Sequence, residues 1–105
     1  RYHAAAVFAS NFVPVIQQTA LDLWAASGVP SEILSTLWPR MLQNACHNTL
    51  ALGPVQALTG PAARGDMALV ERQHQSVQQW HPVAGDAYRA LSELARQMAG
   101  NPTGV

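Results

Sequence analysis

The stretch YHAAAVFASNFVPVI at residues 2–16 decides the fold. Nearly all of its residues are apolar or small, and the pattern continues to about Ser27, ahead of Gly28. A helix without a consistently polar face is normally buried on most sides. Because a chain of 105 residues has few side chains with which to enclose such a helix, the sequence predicts that a partner surface covers part of it.

The composition of the chain is poor in charge. Hydrophobic residues make up 49% and charged residues 11%, whereas about a quarter of the residues of a typical soluble domain are charged. Part of the surface should therefore be apolar and covered by another chain. The 6 basic and 6 acidic residues give a formal net charge of zero. They form no basic stripe, so neither nucleic acid nor an anionic membrane is an expected partner.

Sequence features that report on the cellular compartment indicate the cytoplasm. No uninterrupted apolar run of about 18 residues is present, which argues against a membrane span. The first residues lack the basic region and small-residue cleavage site of a signal peptide. Cys46 is the single cysteine, which excludes an intrachain disulfide and fits a reducing compartment. Cys46 is expected to be a small core residue and not a nucleophile.

Helical periodicity predicts an all-α domain over residues 1–105, a bundle of four main helices and one short helix. The first helix covers residues 2–27 and should end with Gly28 in a left-handed cap. Pro14 lies inside this helix. We expect a kink there, because proline cannot donate a hydrogen bond to the carbonyl of Ser10.

Local turn signals place the other helices. They are expected from Ser31 to Gly53, over residues 54–58, over residues 67–80 and over residues 83–98. Ser31 and Asp66 are predicted N-caps, Pro39 should bend or divide the second helix, and Pro82 should separate the last two. On the helix of residues 67–80, one face follows helical spacing and is expected to face the core: Met67, Val70, His74 and Val77.

Three polar residues of the first helix are candidate site residues. His3 and Asn11 are eight residues apart and Ser10 is seven from His3, so all three project from roughly the same side. Together they can hydrogen-bond a substrate and transfer a proton, because histidine titrates near neutral pH. Alternatively, His3 is a frayed terminal residue, and Ser10 and Asn11 satisfy backbone groups freed at the kink.

The segment TGPAARGD at residues 59–66 is a second candidate site. Its glycine, proline and aspartate residues form turns, so Thr59, Arg64 and the backbone amides of this loop can bind an anionic group. Alternatively, the loop is a tight connection between helices. No metal site is expected, because the four histidines do not follow a zinc spacing. No dinucleotide fingerprint follows a strand, so no cofactor is expected to bind within these residues.

The segments YHAAAVFASN at residues 2–11 and ALTGPAARGD at residues 57–66 resemble a known family. Over essentially its whole length, the chain resembles the C-terminal helical domain, of uncharacterised function, of Rossmann-like oxidoreductases related to pyrroline-5-carboxylate reductase. This resemblance implies that an N-terminal Rossmann domain, absent from this chain, binds NADP or NAD. It also implies that the helical domain forms a homodimer and closes the cleft for a small-molecule substrate.

Broader relatives, the ketopantoate and hydroxyisobutyrate reductase-like enzymes, carry a lysine and asparagines at four-residue steps on the equivalent long helix. By this resemblance His3 stands at the lysine position and Asn11 at the second asparagine, whereas Val7 departs from the pattern. The resemblance implies that His3 or a bound water protonates the product while Asn11 orients it. Ser10, Thr59 and Arg64 are the predicted substrate contacts.

The preferred interpretation is the C-terminal dimerisation and substrate-pocket domain of a cytoplasmic NAD(P)-dependent reductase, inactive as this fragment. The alternative is a stand-alone helical protein-interaction module without catalysis. A Rossmann-coding segment directly upstream of Arg1 favours the first interpretation, and a native start codon near Arg1 favours the second.

Overall fold

The computed structural model describes residues 1–100, and these residues form an all-α fold without strands. Residues 101–105, the end of the predicted domain, lie outside the described residues. The helices are α1 (Tyr2–Ala26), α2 (Ser31–Leu52), α3 (Pro54–Ala57), α4 (Met67–Trp80) and α5 (Pro82–Met98). The prediction of four long helices and one short helix is confirmed. The chain divides into two compact units, the first Arg1–Leu42 and the second from Gln43 onward.

The helix α1 is irregular ahead of Pro14, the residue at which a kink was predicted. Its residues Val7–Asn11 form a π-helical turn, in which the backbone N–H of Phe12 bonds to the carbonyl of Val7. A π-helical turn takes up one additional residue within an α-helix, so the irregularity is absorbed ahead of the proline without ending the helix. The predicted cap is confirmed, because Gly28 has a φ of 87°, a conformation that residues with a Cβ rarely adopt.

The rest of the chain does not bury α1, in agreement with the expectation that 105 residues are too few to enclose it. Its covering by a partner surface stays a prediction. None of its residues is buried, and Leu34 is the single buried residue of the first unit. Tyr2, Phe8 and Val15 are 84%, 61% and 59% exposed. Within this unit the first half of α2 is the one long element available to cover α1, and a single helix covers only one side of another.

The helix α2 is continuous through Pro39, so this proline does not divide it. A proline inside a helix removes one backbone hydrogen bond, and here the turns on both sides keep the helix intact. The predicted N-cap lies one residue too late, because the N–H groups of Ile33 and Leu34 donate to the carbonyl of Pro30 and Ser31 is already helical. The predicted burial of Cys46 is wrong, since every residue from 43 to 52 is exposed.

In the second unit, α4 and α5 form a closely packed pair. Asp66 caps α4 by accepting a hydrogen bond from the N–H of Leu69 at 3.3 Å, which confirms the predicted N-cap. His81 ends α4, and its Nδ1 accepts from the N–H of Ala84 at 3.2 Å at the start of α5. A Cβ added at Gly85 would lie 2.6 Å from Cα of Gln78, so only glycine allows the backbones to approach this closely.

The core of the second unit lies on the predicted face of α4. Val70, His74 and Val77 are buried on α4, together with Ala62 from the preceding loop and Gly85 from α5. The spacing of three and four residues on α4 is that of one helix face. The prediction is confirmed for Val70, His74 and Val77, whereas Met67 at the start of this face is 36% exposed.

Candidate functional site

The candidate residues of α1 lie at its exposed N-terminal part, in the first unit. His3, Ser10 and Asn11 are all exposed. The Oγ of Ser10 donates to the carbonyl of Ala6 at 2.8 Å and lies 3.4 Å from Oδ1 of Asn11. The shorter contact takes the single hydroxyl hydrogen, because hydrogen bonds between oxygens are normally 2.5–3.0 Å long. Ser10 therefore supports the backbone of α1, while its lone pairs and the amide of Asn11 face solvent.

The π-helical turn changes which side of α1 these residues occupy. In a regular α-helix, eight residues make two turns and leave an offset of about 80° between the first and the last. The turn of Val7–Asn11 winds through more residues per revolution, so it rotates Asn11 back toward the side of His3. This feature was not predicted from the sequence, although Pro14 indicated a disturbance nearby.

Aromatic side chains flank the polar group on α1. The rings of Phe8 and Phe12 meet edge to face, with centroids 5.1 Å apart at 88°, and the ring of His3 contacts that of Tyr2 in the same manner at 5.6 Å. Edge-to-face pairs hold such rings in defined positions. Because π-helical turns are frequent at functional sites, this turn is a candidate site.

A separate groove in the first unit lies between α1 and the first part of α2. It has a volume of about 320 Å³ and is lined mainly by Val13, Pro14, Gln17 and Leu21 of α1 and by Trp38 and Leu42 of α2. The indole Nε1 of Trp38 donates to Oε1 of Gln17 at 2.9 Å and joins the two helices. None of the predicted site residues lines this groove.

The two candidate residues of the loop, Thr59 and Arg64, are exposed and belong to the second unit. The amide N–H groups of Arg64, Gly65 and Asp66 donate to carbonyls inside the loop, at 2.9–3.2 Å. These amides therefore stabilise the loop itself, as expected if the loop is a tight connection between helices. Arg64 makes no ion pair within residues 1–100, so its guanidinium is the group of this loop that can bind an anion.

A polar group around His74 was not predicted as a site. The side chain of His74 is buried, its Nδ1 has no hydrogen-bond partner, and Oε1 of Glu71 lies 3.7 Å away. The rings of His74 and Tyr88 stack with centroids 6.5 Å apart. The hydroxyl of Tyr88 donates to Oε1 of Gln73 at 2.6 Å. Burial raises the pKa of Tyr88 above its ordinary value, and a hydrogen bond with Ser92 partly opposes this.

Comparison with known proteins gives one match. Residues 1–95 match the model of a family described as a domain of unknown function, DUF2520. The chain belongs to this family. No curated protein and no solved structure matches it. The description of DUF2520 contains no activity, so the function has to be argued from the residues themselves.

The described part of this DUF2520 chain offers no group of metal ligands and contains one long apolar helix. Within residues 1–100 no three His, Cys, Asp or Glu side chains are grouped so that they could hold a metal ion. By length and composition alone, α1 is long and apolar enough to cross a membrane. Core helices of soluble proteins and signal sequences have the same properties, so this is weak evidence for a membrane span.

Proposed function

We propose that the chain is the C-terminal dimerisation and substrate-pocket domain of a cytoplasmic NAD(P)-dependent reductase resembling pyrroline-5-carboxylate reductase. The observation that carries this proposal is the exposed π-helical turn Val7–Asn11, which holds Ser10 and Asn11 beside an aromatic pair. π-helical turns are frequent at functional sites. The sequence resemblance to the reductases covers the same segment.

In the proposed reaction, the protein's own Rossmann domain binds NADP or NAD, and the nicotinamide supplies the hydride. The residues of this chain orient the substrate and supply the proton. The amide of Asn11 hydrogen-bonds a polar group next to the reacting carbon, and His3 or a bound water donates the proton to the product. To donate this proton, His3 has to react as an imidazolium and take up a proton from solvent after each turnover.

The predicted contacts of the loop at residues 59–66 belong to the second unit and are proposed separately from those of α1. The exposed guanidinium of Arg64 suits an anionic group such as a carboxylate, because arginine binds it with two parallel hydrogen bonds. In the proposal Thr59 adds a hydroxyl contact within this loop, and Ser10 adds one on α1. A second copy of the chain covers the apolar surface of α1, so the functional protein is a homodimer with neither nucleic acid nor membrane as partner.

Turnover by the full-length protein tests the proposal. The assay follows the oxidation of NADPH and of NADH. The first substrate is 1-pyrroline-5-carboxylate. His3→Gln and Asn11→Ala are each expected to lower kcat/KM by about 100-fold, the range of a lost proton donor or orienting group. Asn44→Ala, at an exposed position of α2, is the control and should leave turnover unchanged. If the His3→Gln and the Asn11→Ala proteins each turn over at the wild-type rate, the roles proposed for His3 and Asn11 are wrong.

The second candidate function is a stand-alone helical interaction module. The observation that favours it is the absence of any buried residue in α1, which leaves an apolar helix available to a different protein. In this case the π-helical turn shapes a contact surface, and His3 and Asn11 have no chemical role. A protein that binds neither NADPH nor NADH in its full-length form would favour this candidate over the reductase.

A further inference from the structure

The π-helical turn Val7–Asn11 is an irregularity whose cause lies in the turn itself. None of its residues is buried, so packing against other elements of the chain does not impose it. The edge-to-face pair of Phe8 and Phe12 does not impose it either, because residues four apart also face each other on a regular α-helix. The hydrogen bonds made by the turn therefore have to account for it.

Ser10 makes a short side-chain hydrogen bond within this turn. Its Oγ donates to the carbonyl of Ala6 at 2.8 Å. A hydroxyl that donates to the carbonyl four residues back competes with a backbone N–H for that carbonyl and often bends the helix. At the end of the turn, the N–H of Phe12 donates to the carbonyl of Val7, five residues back. The hydroxyl bond and the altered backbone bond thus lie in the same helical turn.

Two threonines make the same side-chain bond without a π-helical turn. The Oγ1 atoms of Thr19 and Thr49 each donate to the carbonyl four residues back, at 2.8 and 2.7 Å, and both residues lie in regular α-helix. Ser10 differs from them because the residue four positions after it is Pro14, which has no N–H for the carbonyl of Ser10. The hydroxyl and the proline together therefore distinguish this turn.

The π-helical turn sets the angle between His3 and Asn11 around the axis of α1. In a regular α-helix, their separation of eight residues leaves about 80° between them. A π-helical turn takes up one additional residue, so the eight steps here cover the angle of about seven, which leaves about 20°. Both side chains thereby lie on one side of α1, as the proposed reaction requires.

We propose that Ser10 is a positioning residue of the proposed reductase site. Its hydroxyl, together with Pro14, holds the π-helical turn and thereby keeps Asn11 on the side of His3. Since it concerns these two catalytic groups, this role of Ser10 rests on the proposed function. The bond to the carbonyl of Ala6 uses the hydroxyl hydrogen, so toward a substrate Ser10 is an acceptor only.

NMR of the chain tests the structural half of the proposal without any turnover. The coupling across a hydrogen bond, from the ¹⁵N of Phe12 to a carbonyl ¹³C, identifies the acceptor, which is Val7 in the π-helical turn and Phe8 in a regular α-helix. Ser10→Ala should shift the ratio of these two couplings about fivefold toward Phe8, the factor that one hydrogen bond contributes to an equilibrium. An unchanged ratio would overturn the proposal.

Two variants separate this bond from other effects of substitution. Ser10→Thr retains a hydroxyl that can make the same bond, as Thr19 does, and should keep Val7 as the acceptor. Thr19→Ala removes the equivalent bond from the regular part of α1 and should leave the bond of Phe12 unchanged. If Ser10→Thr loses the bond to Val7 as far as Ser10→Ala does, the hydroxyl is not the cause and the proposal is wrong.

Turnover of the full-length protein tests the positioning role. The double variant of Ser10→Ala and Pro14→Ala lacks both causes of the π-helical turn, so kcat/KM should fall about 100-fold, as in Asn11→Ala. Deletion of Ala9, an exposed residue of the turn, from this double variant leaves seven regular steps between His3 and Asn11. Their alignment and the turnover should then recover. A Ser10 that only contacts the substrate predicts no recovery, and this result would contradict the positioning role.

Failure of this proposal and failure of the proposed function are distinguishable. If Ser10→Ala keeps Val7 as the acceptor of Phe12, the turn has a different cause, whatever the turnover. If the unsubstituted full-length protein binds neither NADPH nor NADH, the proposed function fails, and the NMR couplings still decide whether Ser10 holds the turn.

Discussion

The two units of the chain differ in what happens to their apolar surface. In the second unit, α4 and α5 bury Val70 and Val77 against each other and approach closely at Gly85. In the first unit, α1 is richer in apolar residues than either of those helices, and none of its residues is buried. The apolar residues of a sequence therefore predict which surface has to be covered. How much of that surface is buried within the chain depends on which other helices pack against it.

The largest expected effect concerns the close contact in the second unit. Gly85→Leu places a side chain where even a Cβ would be 2.6 Å from Cα of Gln78. We expect a loss of about 3 kcal/mol in the free energy of unfolding, because two helix backbones have to separate. Urea unfolding followed by circular dichroism measures it. Gly85→Ala is the control. In a helix, alanine is favoured over glycine by about 1 kcal/mol, so without the close contact this variant would be more stable than the unsubstituted chain. A more stable Gly85→Ala protein would therefore contradict the close packing.

A pair of valines compares the two units directly. Val77→Ala removes two methyl groups from the core of the second unit and should cost about 2 kcal/mol. Val15→Ala makes the same change on α1, where the side chain is mostly exposed, and should cost no more than about 0.5 kcal/mol in an isolated monomer. If a second copy covers α1, the cost of Val15→Ala rises, and it depends on protein concentration in the unfolding experiment.

These predictions also show what the sequence alone could establish. The bounds of α4 and α5 were predictable because their signals are local: Asp66 caps one helix, and the His81–Pro82 pair separates the two. The exposure of Cys46 was not predictable, since burial depends on which elements face each other. The π-helical turn reflects competition between alternative backbone hydrogen bonds, and Pro14 revealed only its approximate position.

The candidate site was also predictable only in part. Helical spacing and family resemblance selected His3 and Asn11, and the structure leaves both exposed. The spacing argument assumed a regular helix, however, so it missed the rotation that the π-helical turn introduces. His74 was assigned correctly to the core face, but no sequence signal indicated that its Nδ1 would lack a partner. Such a vacancy depends on the positions of neighbouring side chains.

A smaller effect is expected at the start of α4. Asp66→Ala removes the side chain that accepts from the N–H of Leu69, and loss of an N-cap costs about 1 kcal/mol. Asp66→Asn should retain most of the stability, because its amide oxygen can accept the same hydrogen bond. Thermal unfolding of both variants provides the measurement. If the alanine and asparagine variants lose the same stability, the cap is not the cause.

The smallest effect concerns alkaline pH. Burial raises the pKa of Tyr88 above 10.0, so the folded chain keeps the phenolic proton more tightly than the unfolded chain. This contribution to stability is fully present below pH 10 and is lost as the pH rises through the raised pKa. Tyr88→Phe should flatten this part of the stability profile, whereas Tyr2→Phe, at an exposed position, should not. A profile unchanged by Tyr88→Phe would contradict the assignment.

The covering of α1 by a second copy is the central claim, and the mass in solution tests it most directly. Light scattering of the 11.3 kDa chain at several concentrations should give twice this mass throughout, because an apolar helix without a buried residue gains most from association. A folded monomer at every concentration would contradict the claim and leave the interaction-module candidate as the better account of α1.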